Sequence, residues 1–227
     1  MDGILIIDKP AGPTSHDVVQ MVKRAIGARK VGHTGTLDPA ATGVLTLCIN
    51  NATKMASELS GGEKVYEFTL VLGAQTDTDD DAGTVMHEGV VPEDCRAQLD
   101  SIVSNYVGSI EQTPPAYSAR KKNGVRSYKQ ARKGKEVELE PRPVLIHELS
   151  VLGSEGGRIA MRLRCEKGTY VRALCRDIGR DLGCGGHAAN IRRVKNGQYT
   201  VDDAIALEDV PARWRDVLIL KNSSNYI

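Results

Sequence analysis

Gly32-His33-Thr34-Gly35-Thr36-Leu37-Asp38-Pro39 brings an acid and an imidazole into one short stretch bracketed by glycines. Glycine permits backbone conformations and close approaches that a side chain would block. The proline biases Asp38 away from the right-handed helical region, so a helix opens after Pro39 at the earliest. A loop of this kind could offer Asp38 as a nucleophile or a general acid/base, provided a neighbour tunes it. A turn in which Asp38 merely caps the next segment accounts for the same residues, and both readings stand at this point.

A carboxylate in an apolar pocket needs a cation or hydrogen-bond donors, because an unpaired buried charge costs several kcal/mol. Lys167-Gly168-Thr169-Tyr170-Val171-Arg172 offers such a cation beside an aromatic able to stack on a base. A sheet-end tyrosine and a surface arginine are the plainer explanation of the same pair. Tyr66 fits equally well as a core residue on an alternating strand. Gly27-x-x-x-x-Gly32-His33-Thr34 approaches a P-loop, but His33 stands where the lysine belongs and a helix precedes it, so that reading is rejected. Asp77-Thr78-Asp79-Asp80-Asp81 lacks the glycine and terminal glutamate of a calcium loop and reads as a solvated acidic loop. His187 lies close to Cys184, but two possible ligands do not make a metal site, and no metal is expected.

The elements that must position these residues follow from patterning. Gly3 to Asp8 is a buried strand of unbroken aliphatics. Ser15 offers an N-cap, and Val18, Val19, Val22 and Ile26 recur at helical spacing until Gly27. Strands are expected at Val44 to Ile49 and Val65 to Leu72, where Tyr66, Phe68, Leu70 and Leu72 share a face. A helix runs from Pro92 to about Ser104. Thr113-Pro114-Pro115 opens a basic insertion, about 113–143, with a helical segment around Ser127 to Arg132, closed by Pro141 and Pro143. Strands follow near Val144 to Leu152 and Ile159 to Cys165, the second putting arginines on its outer face. A helix extends from Thr169 or Tyr170 through Leu182. Asp202 to Leu220 is expected to be helical and to cover the sheet. Hairpin-like strand pairs among helices argue for α+β rather than a parallel sheet.

The 41% hydrophobic and 26% charged fractions belong to an ordinary globular protein, and 227 residues suffice for a real core. No apolar run is long enough to span a bilayer, and the N-terminus lacks a signal peptide, which points to the cytoplasm. Five cysteines without close pairs read as reduced, mostly buried thiols. The net charge of +1 hides a segregation of charge. Acids dominate from Glu63 to Glu111. Arg120 to Lys135 carries no acid at all, and a second basic stretch includes Arg158, Arg162, Arg164, Lys167, Arg172, Arg176, Arg180, Arg192, Arg193 and Lys195. Two such stretches, with Tyr117, Tyr128, Tyr170 and Tyr199 among them, favour a nucleic-acid partner over a merely solvated surface.

Across nearly its whole length the chain resembles the TruB-type tRNA pseudouridine synthases. The resemblance rests on Gly3-Ile4-Leu5-Ile6-Ile7-Asp8-Lys9-Pro10-Ala11-Gly12, the stretch Gly32 to Gly43, Lys64-Val65-Tyr66, and Gly73-Ala74-Gln75-Thr76-Asp77-Thr78-Asp79. Pro114-Pro115-Ala116-Tyr117-Ser118-Ala119, Lys167 to Arg172, and Leu182-Gly183-Cys184-Gly185-Gly186-His187 complete the series in the family's order. The resemblance implies a pseudouridine-synthase fold: one catalytic domain over 1–227, a mixed and mainly antiparallel central sheet flanked by helices, and a basic thumb-like insertion. It implies isomerisation of the uridine at position 55 in the T arm of tRNA, by base flipping and without a cofactor. Asp38 matches the nucleophile, attacking either the uracil ring or the ribose. Tyr66 matches the tyrosine that stacks on the target base, and Arg172 the arginine paired with the aspartate. Tyr170 matches a second pocket tyrosine, His33 the histidine that supports the rearranged T loop, and Ile191 a pocket position usually held by leucine. The chain ends too early for the C-terminal RNA-binding PUA domain of many members, so none is expected. A monomer with tRNA as its partner and no obligate protein partner completes the expectation. A binding module for the tRNA elbow would need neither Asp38 nor Arg172, and an aspartate-dependent nucleoside hydrolase would release free uracil.

Overall fold

The computed structural model describes residues 1–117, 121–122, 125–126 and 139–220, so the helix expected around Ser127 to Arg132 lies outside the described residues. The elements run β1 (Gly3–Lys9), α1 (Ser15–Ile26), β2 (Val31–His33), β3 (Thr42–Ile49), α2 (Ala56–Leu59), β4 (Lys64–Leu72), β5 (Ala74–Thr76) and β6 (Val85–Glu88). Next come α3 (Cys95–Val103), β7 (Gly108–Gln112), β8 (Lys121–Lys122), β9 (Val125–Arg126), β10 (Arg142–Glu155) and β11 (Arg158–Cys165). The chain ends with α4 (Val171–Asp181), β12 (Gly186–Asn196), β13 (Tyr199–Thr200), β14 (Ile205–Ala206), α5 (Val210–Val217) and β15 (Ile219–Leu220). The fold is α+β with a mixed, mostly antiparallel sheet. Among the described residues no helix is long and apolar enough to cross a membrane.

Two compact units divide the chain, Met1–Tyr66 with Arg192–Ile227 and Glu67–Ile191. The chain passes between them inside β4 and again inside β12. In the first unit the strand order is β14-β1-β3-β12. β1 pairs antiparallel with β3 from Gly3↔Ile49 to Lys9↔Gly43, and β12 joins β3 in parallel at Arg192↔Thr42. Leu5, Ile6, Ile7, Val44, Leu45 and Leu47 are all buried, which explains why neither strand alternates: both faces are covered. Ile4, Ile6, Val44 and Tyr199 form one apolar cluster, so Tyr199 is a core residue and not a surface aromatic available to RNA.

The N-cap of helix α1 lies one residue earlier than expected. Thr14, not Ser15, is the N-cap, in a reciprocal capping box with Asp17. Gly27 ends the helix in the left-handed conformation, and Val18, Val19 and Val22 face the core. No helix follows Pro39; the chain turns and enters β3 at Thr42. At the other end of the unit, Asp202 to Leu220 is only partly helical, since β14 and β15 pair with β1 there. These two-residue strands are too short to leave a period in the sequence.

The second unit has the order β12-β4-β11-β10-β7. β11 alternates as expected, with Ile159, Met161, Leu163 and Cys165 buried. β12 escapes the patterning analysis because its buried residues include Gly186, His187, Ala188 and Ala189, which carry little hydrophobic signal. β7 is missed for a similar reason, Gly-Ser-Ile-Glu-Gln having one aliphatic residue. The acidic segment after Gly73 is partly ordered as the β5–β6 hairpin. Helix α4 is amphipathic, and at Gly179 a Cβ would overlap the backbone of Gly186, so the helix meets β12 through glycine on both sides.

Gly43 sits at φ 99° beside the Arg193 carbonyl, which an added Cβ would strike. Gly43→Ala should therefore combine strain and overlap at the β3–β12 junction, lowering stability by about 2 kcal/mol or more. Urea unfolding monitored by circular dichroism would show this as a lower midpoint at unchanged slope.

Candidate active site

Asp38, His33 and Tyr66 belong to the first unit. His33 ends β2, which is a strand paired with β3 rather than a loop. From Thr34 to Ala41 the chain leaves the sheet, and buried side chains grip its backbone. Ser15 Oγ donates to Leu37 O at 2.9 Å and accepts from Leu37 N at 2.8 Å. Asn196 Nδ2 donates to Thr34 Oγ1 at 3.2 Å and Thr46 Oγ1 at 3.1 Å. Arg193, 1% exposed, donates to Val44 O at 2.9 Å, Gly35 O at 3.1 Å and Thr36 O at 3.4 Å. Lys9, fully buried, donates to Pro10 O and Ala41 O at 2.8 Å each and to Pro39 O at 3.0 Å. The Gly12 amide also donates to Pro39 O, and the Ala41 amide closes a turn onto Asp38 O.

The two ends of the loop are thus anchored while Asp38 itself stays half-exposed between them. Leu37, on its inner side, is buried. Burial pushes the Lys9 ammonium down to about 8; Asp38 opposes this shift and Arg193 adds to it. The same backing acts on His33, whose imidazole is held below its ordinary value by burial first, then by Arg193 and His16. His33 is therefore neutral near pH 7, and its buried Nδ1 has no hydrogen-bond partner among the described residues. A neutral ring suits contact with a nucleic acid better than proton donation. Tyr66 lies buried on β4, on the face that carries Phe68, Leu70 and Leu72.

Tyr170, Arg172 and Ile191 belong to the second unit. Tyr170 occupies the N-cap of α4, where the buried Gln112 side chain pairs with both its backbone groups, accepting from Tyr170 N at 2.8 Å and donating to Tyr170 O at 3.1 Å. Arg172, in the first turn of α4, is buried rather than on the surface. It donates to Thr78 O at 2.8 Å and Tyr117 O at 2.9 Å, and its Nε lies 3.7 Å from Asp80 Oδ2. Ile191 is half-buried at the point where β12 leaves this unit.

The acidic segment is not the solvated loop expected. Asp79 is buried against Arg176 at 3.0 Å, and burial pushes its carboxyl up to about 6 although Arg176 and Arg172 pull the other way. Asp77 and Asp80 accept from Thr84 N and Ala82 N within the turn. His187 is likewise engaged, through Nδ1 with Ala74 O at 2.8 Å. The second basic stretch is also largely neutralised from within. Arg162 pairs with Glu67, Arg164 with Glu148, Arg180 with Asp177 and Asp181, Arg192 with Asp8, and Lys195 with Glu63.

Sequence reasoning missed Lys9 and Arg193, which hold the Asp38 loop, and Asp80 and Gln112, which meet Arg172 and the Tyr170 backbone. A signal existed for Lys9: a lysine that ends a strand of aliphatics buried on both faces, one residue past Asp8, needs carbonyls or an acid to receive its charge.

Residues 23–171 match the model of the N-terminal domain of the TruB family of pseudouridylate synthases. Residues 172–219 match that of the tRNA pseudouridylate synthase B C-terminal domain. The chain is 45% identical over 213 residues to tRNA pseudouridine synthase B of Saccharophagus degradans, covering 92% of this chain and 68% of that protein. It is 44% identical over 221 residues to the protein of the same name from Thermobifida fusca, covering 94% and 75%. A chain in the crystal structure of a Cbf5-Nop10-Gar1 complex superposes with a TM-score of 0.73 at 30% identity, over 93% of this chain and 54% of that one. This chain thus spans about half the length of that solved chain. The fold and these matches define an isomerase of the pseudouridine-synthase class. Within that class, the chain belongs to the TruB family.

Lys9→Met would leave the Pro39 and Ala41 carbonyls short of a donor, at an expected cost of about 2–4 kcal/mol. Folding lowers the Lys9 pKa from 10.5 to about 8, so the unfolded chain binds the extra proton between those values. The contribution of Lys9 to stability is therefore fully present above 10.5 and lost as the pH falls through 8. Urea melts of wild type and Lys9→Met should show the gap between them widening from pH 7.5 to pH 10.

Proposed function

We propose that the protein isomerises uridine to pseudouridine at position 55 in the T arm of tRNA, with Asp38 as the nucleophile. The loop around Asp38 carries this reading: buried cations and hydroxyls hold its flanking backbone while its carboxylate stays accessible. A nucleophile held in this way loses little freedom on reaching the transition state.

The target uridine is flipped out of the T loop, at a cost of a few kcal/mol. Stacking on Tyr66, with Tyr170 as a second aromatic, offsets this by about 1–3 kcal/mol per base. Asp38 adds to the uracil ring or to the ribose anomeric carbon, and the bond between N1 and the sugar breaks. The base turns and C5 bonds to the anomeric carbon. In the ribose route Asp38 leaves as this bond forms; C5 then gives up its proton, with Tyr66 as the acceptor, N1 gains one, and in the ring route Asp38 is released from the ring. Atoms and electrons balance within the substrate, so the reaction as written needs no cofactor. Arg172 supplies the guanidinium that the resemblance assigns to the aspartate, His33 supports the rearranged T loop, and Ile191 lines the base pocket. The basic insertion, about 113–143, takes the phosphate contacts of the tRNA in the cytoplasm, which makes binding weaken as salt rises.

The reading is tested by incubating unmodified tRNA with wild type and Asp38→Ala and mapping pseudouridine. Modification confined to position 55 and lost in Asp38→Ala by a factor of about 1,000 or more is expected. Pseudouridine that persists in Asp38→Ala, or that appears only outside the T arm, would overturn it. Arg172→Met should lower the single-turnover rate by about 100-fold while changing tRNA affinity by less than about threefold. Equal losses in rate and affinity, read by quench-flow and filter binding, would mark Arg172 as an RNA contact instead.

A further inference from the structure

One helical turn beyond Arg172, α4 carries Arg176, and residues at this spacing share a helix face. Arg176 donates from Nη1 to Asp79 Oδ2 at 3.0 Å, from Nη2 to Thr113 O at 2.9 Å, and from Nε to Asp177 Oδ1 at 3.0 Å. Arg172 holds Thr78 O, Asp80 and Tyr117 O. Each arginine therefore joins the same two segments to the helix, the acidic turn 78–80 and the stretch 113–117.

The acidic turn does not keep this shape by local preference alone. Asp79 has a φ of 60°, sparsely populated for a residue with a side chain, and the residue is only 6% exposed. Its carbonyl accepts from Ala188 N and its amide donates to Thr76 O, so the backbone is fixed on both sides of a buried charge. Only a forked donor can meet Asp79, Asp177 and the Thr113 carbonyl at once; a lysine ammonium is a point charge and cannot span all three. Asp79 and Asp80 are adjacent, so any shift of Asp79 moves the carboxylate and the Thr78 carbonyl that Arg172 uses.

We propose that Arg176 is a positioning residue for the isomerisation: through Asp79 and Thr113 it sets the acidic turn and the 113–117 stretch in the register that aims the Arg172 guanidinium. The inference rests on the reading of Arg172 as a residue of the isomerisation site.

The experiment measures single-turnover pseudouridine formation on unmodified tRNA, tRNA affinity and thermal unfolding. It uses wild type, Arg176→Lys, Asp79→Asn, Arg172→Met and the double variant Arg172→Met with Arg176→Lys. Arg176→Lys is expected to lose about tenfold in rate and less than about threefold in affinity. In the Arg172→Met background the same change should cost less than about twofold, because a residue that acts through Arg172 has nothing left to aim. Asp79→Asn, which keeps the side chain's shape and leaves Arg176 intact, should reproduce the rate loss with its thermal midpoint within about 4 °C of wild type. Rates within about twofold of wild type in both Arg176→Lys and Asp79→Asn would overturn the proposal. So would losses that multiply in the double variant, even if Arg176→Lys alone proved too unstable to assay and the test fell to Asp79→Asn paired with Arg172→Met. A wild type that forms no pseudouridine in tRNA would instead overturn the functional reading itself, and the proposal with it.

Discussion

Lys9 and Arg193 are the largest fully buried side chains of the molecule, and both aim their protons at main-chain carbonyls between Pro10 and Val44. Burying a charge is normally prohibitive, yet a ring of carbonyls lowers the cost by replacing water with fixed dipoles. The arrangement converts a stretch of chain without regular structure into a rigid support. It also places two positive charges behind a loop whose one acid, Asp38, stays half-exposed. Much else in the first unit serves this grip. β1 delivers Lys9, β12 delivers Arg193 and Asn196, and α1 delivers Ser15. Gly43 lets β3 approach the Arg193 backbone closely enough for the guanidinium to arrive.

The second unit uses charge differently. Its arginines meet carboxylates, and the acids that dominate residues 67–100 are in part the partners of the bases that follow. The segregation of charge along the sequence is therefore partly undone by folding. What looked like two basic surfaces reduces to one stretch, Arg120 to Lys135, that carries no acid of its own. On α4, Arg176 and Arg180 act as structural fasteners.

Much of the fold was legible in the sequence where the period was strong. β1, α1, β4, β11 and α4 all lie close to their expected bounds, because each carries several large aliphatics, in an unbroken run in β1 and at a regular interval in the others. Elements built from glycine, alanine and polar residues, such as β7 and β12, were not, since their burial depends on neighbours supplied by distant parts of the chain. The same holds for site residues. Asp38, Tyr66, Tyr170 and Arg172 stand in motifs that a resemblance can locate. The roles of Lys9, Arg193, Gln112 and Asp79 depend on hydrogen bonds to backbone atoms far away in sequence, and no residue type announces which carbonyl it will find. His33 is an intermediate case: its position was readable, but its neutrality follows first from its burial and then from the Arg193 behind it.

The division of the chain inside β4 and β12 also bears on how the molecule is made. The second unit is one continuous segment, complete once Ile191 has been synthesised. The first unit is discontinuous. β1 is synthesised before the second unit, but its edge partners β14 and β15 come after it, together with the Arg193 that holds the Asp38 loop. Closing so long a separation is slow, because chain entropy must be overcome before the contacts form. The Asp38 loop thus finds its final support only after the whole second unit has been synthesised.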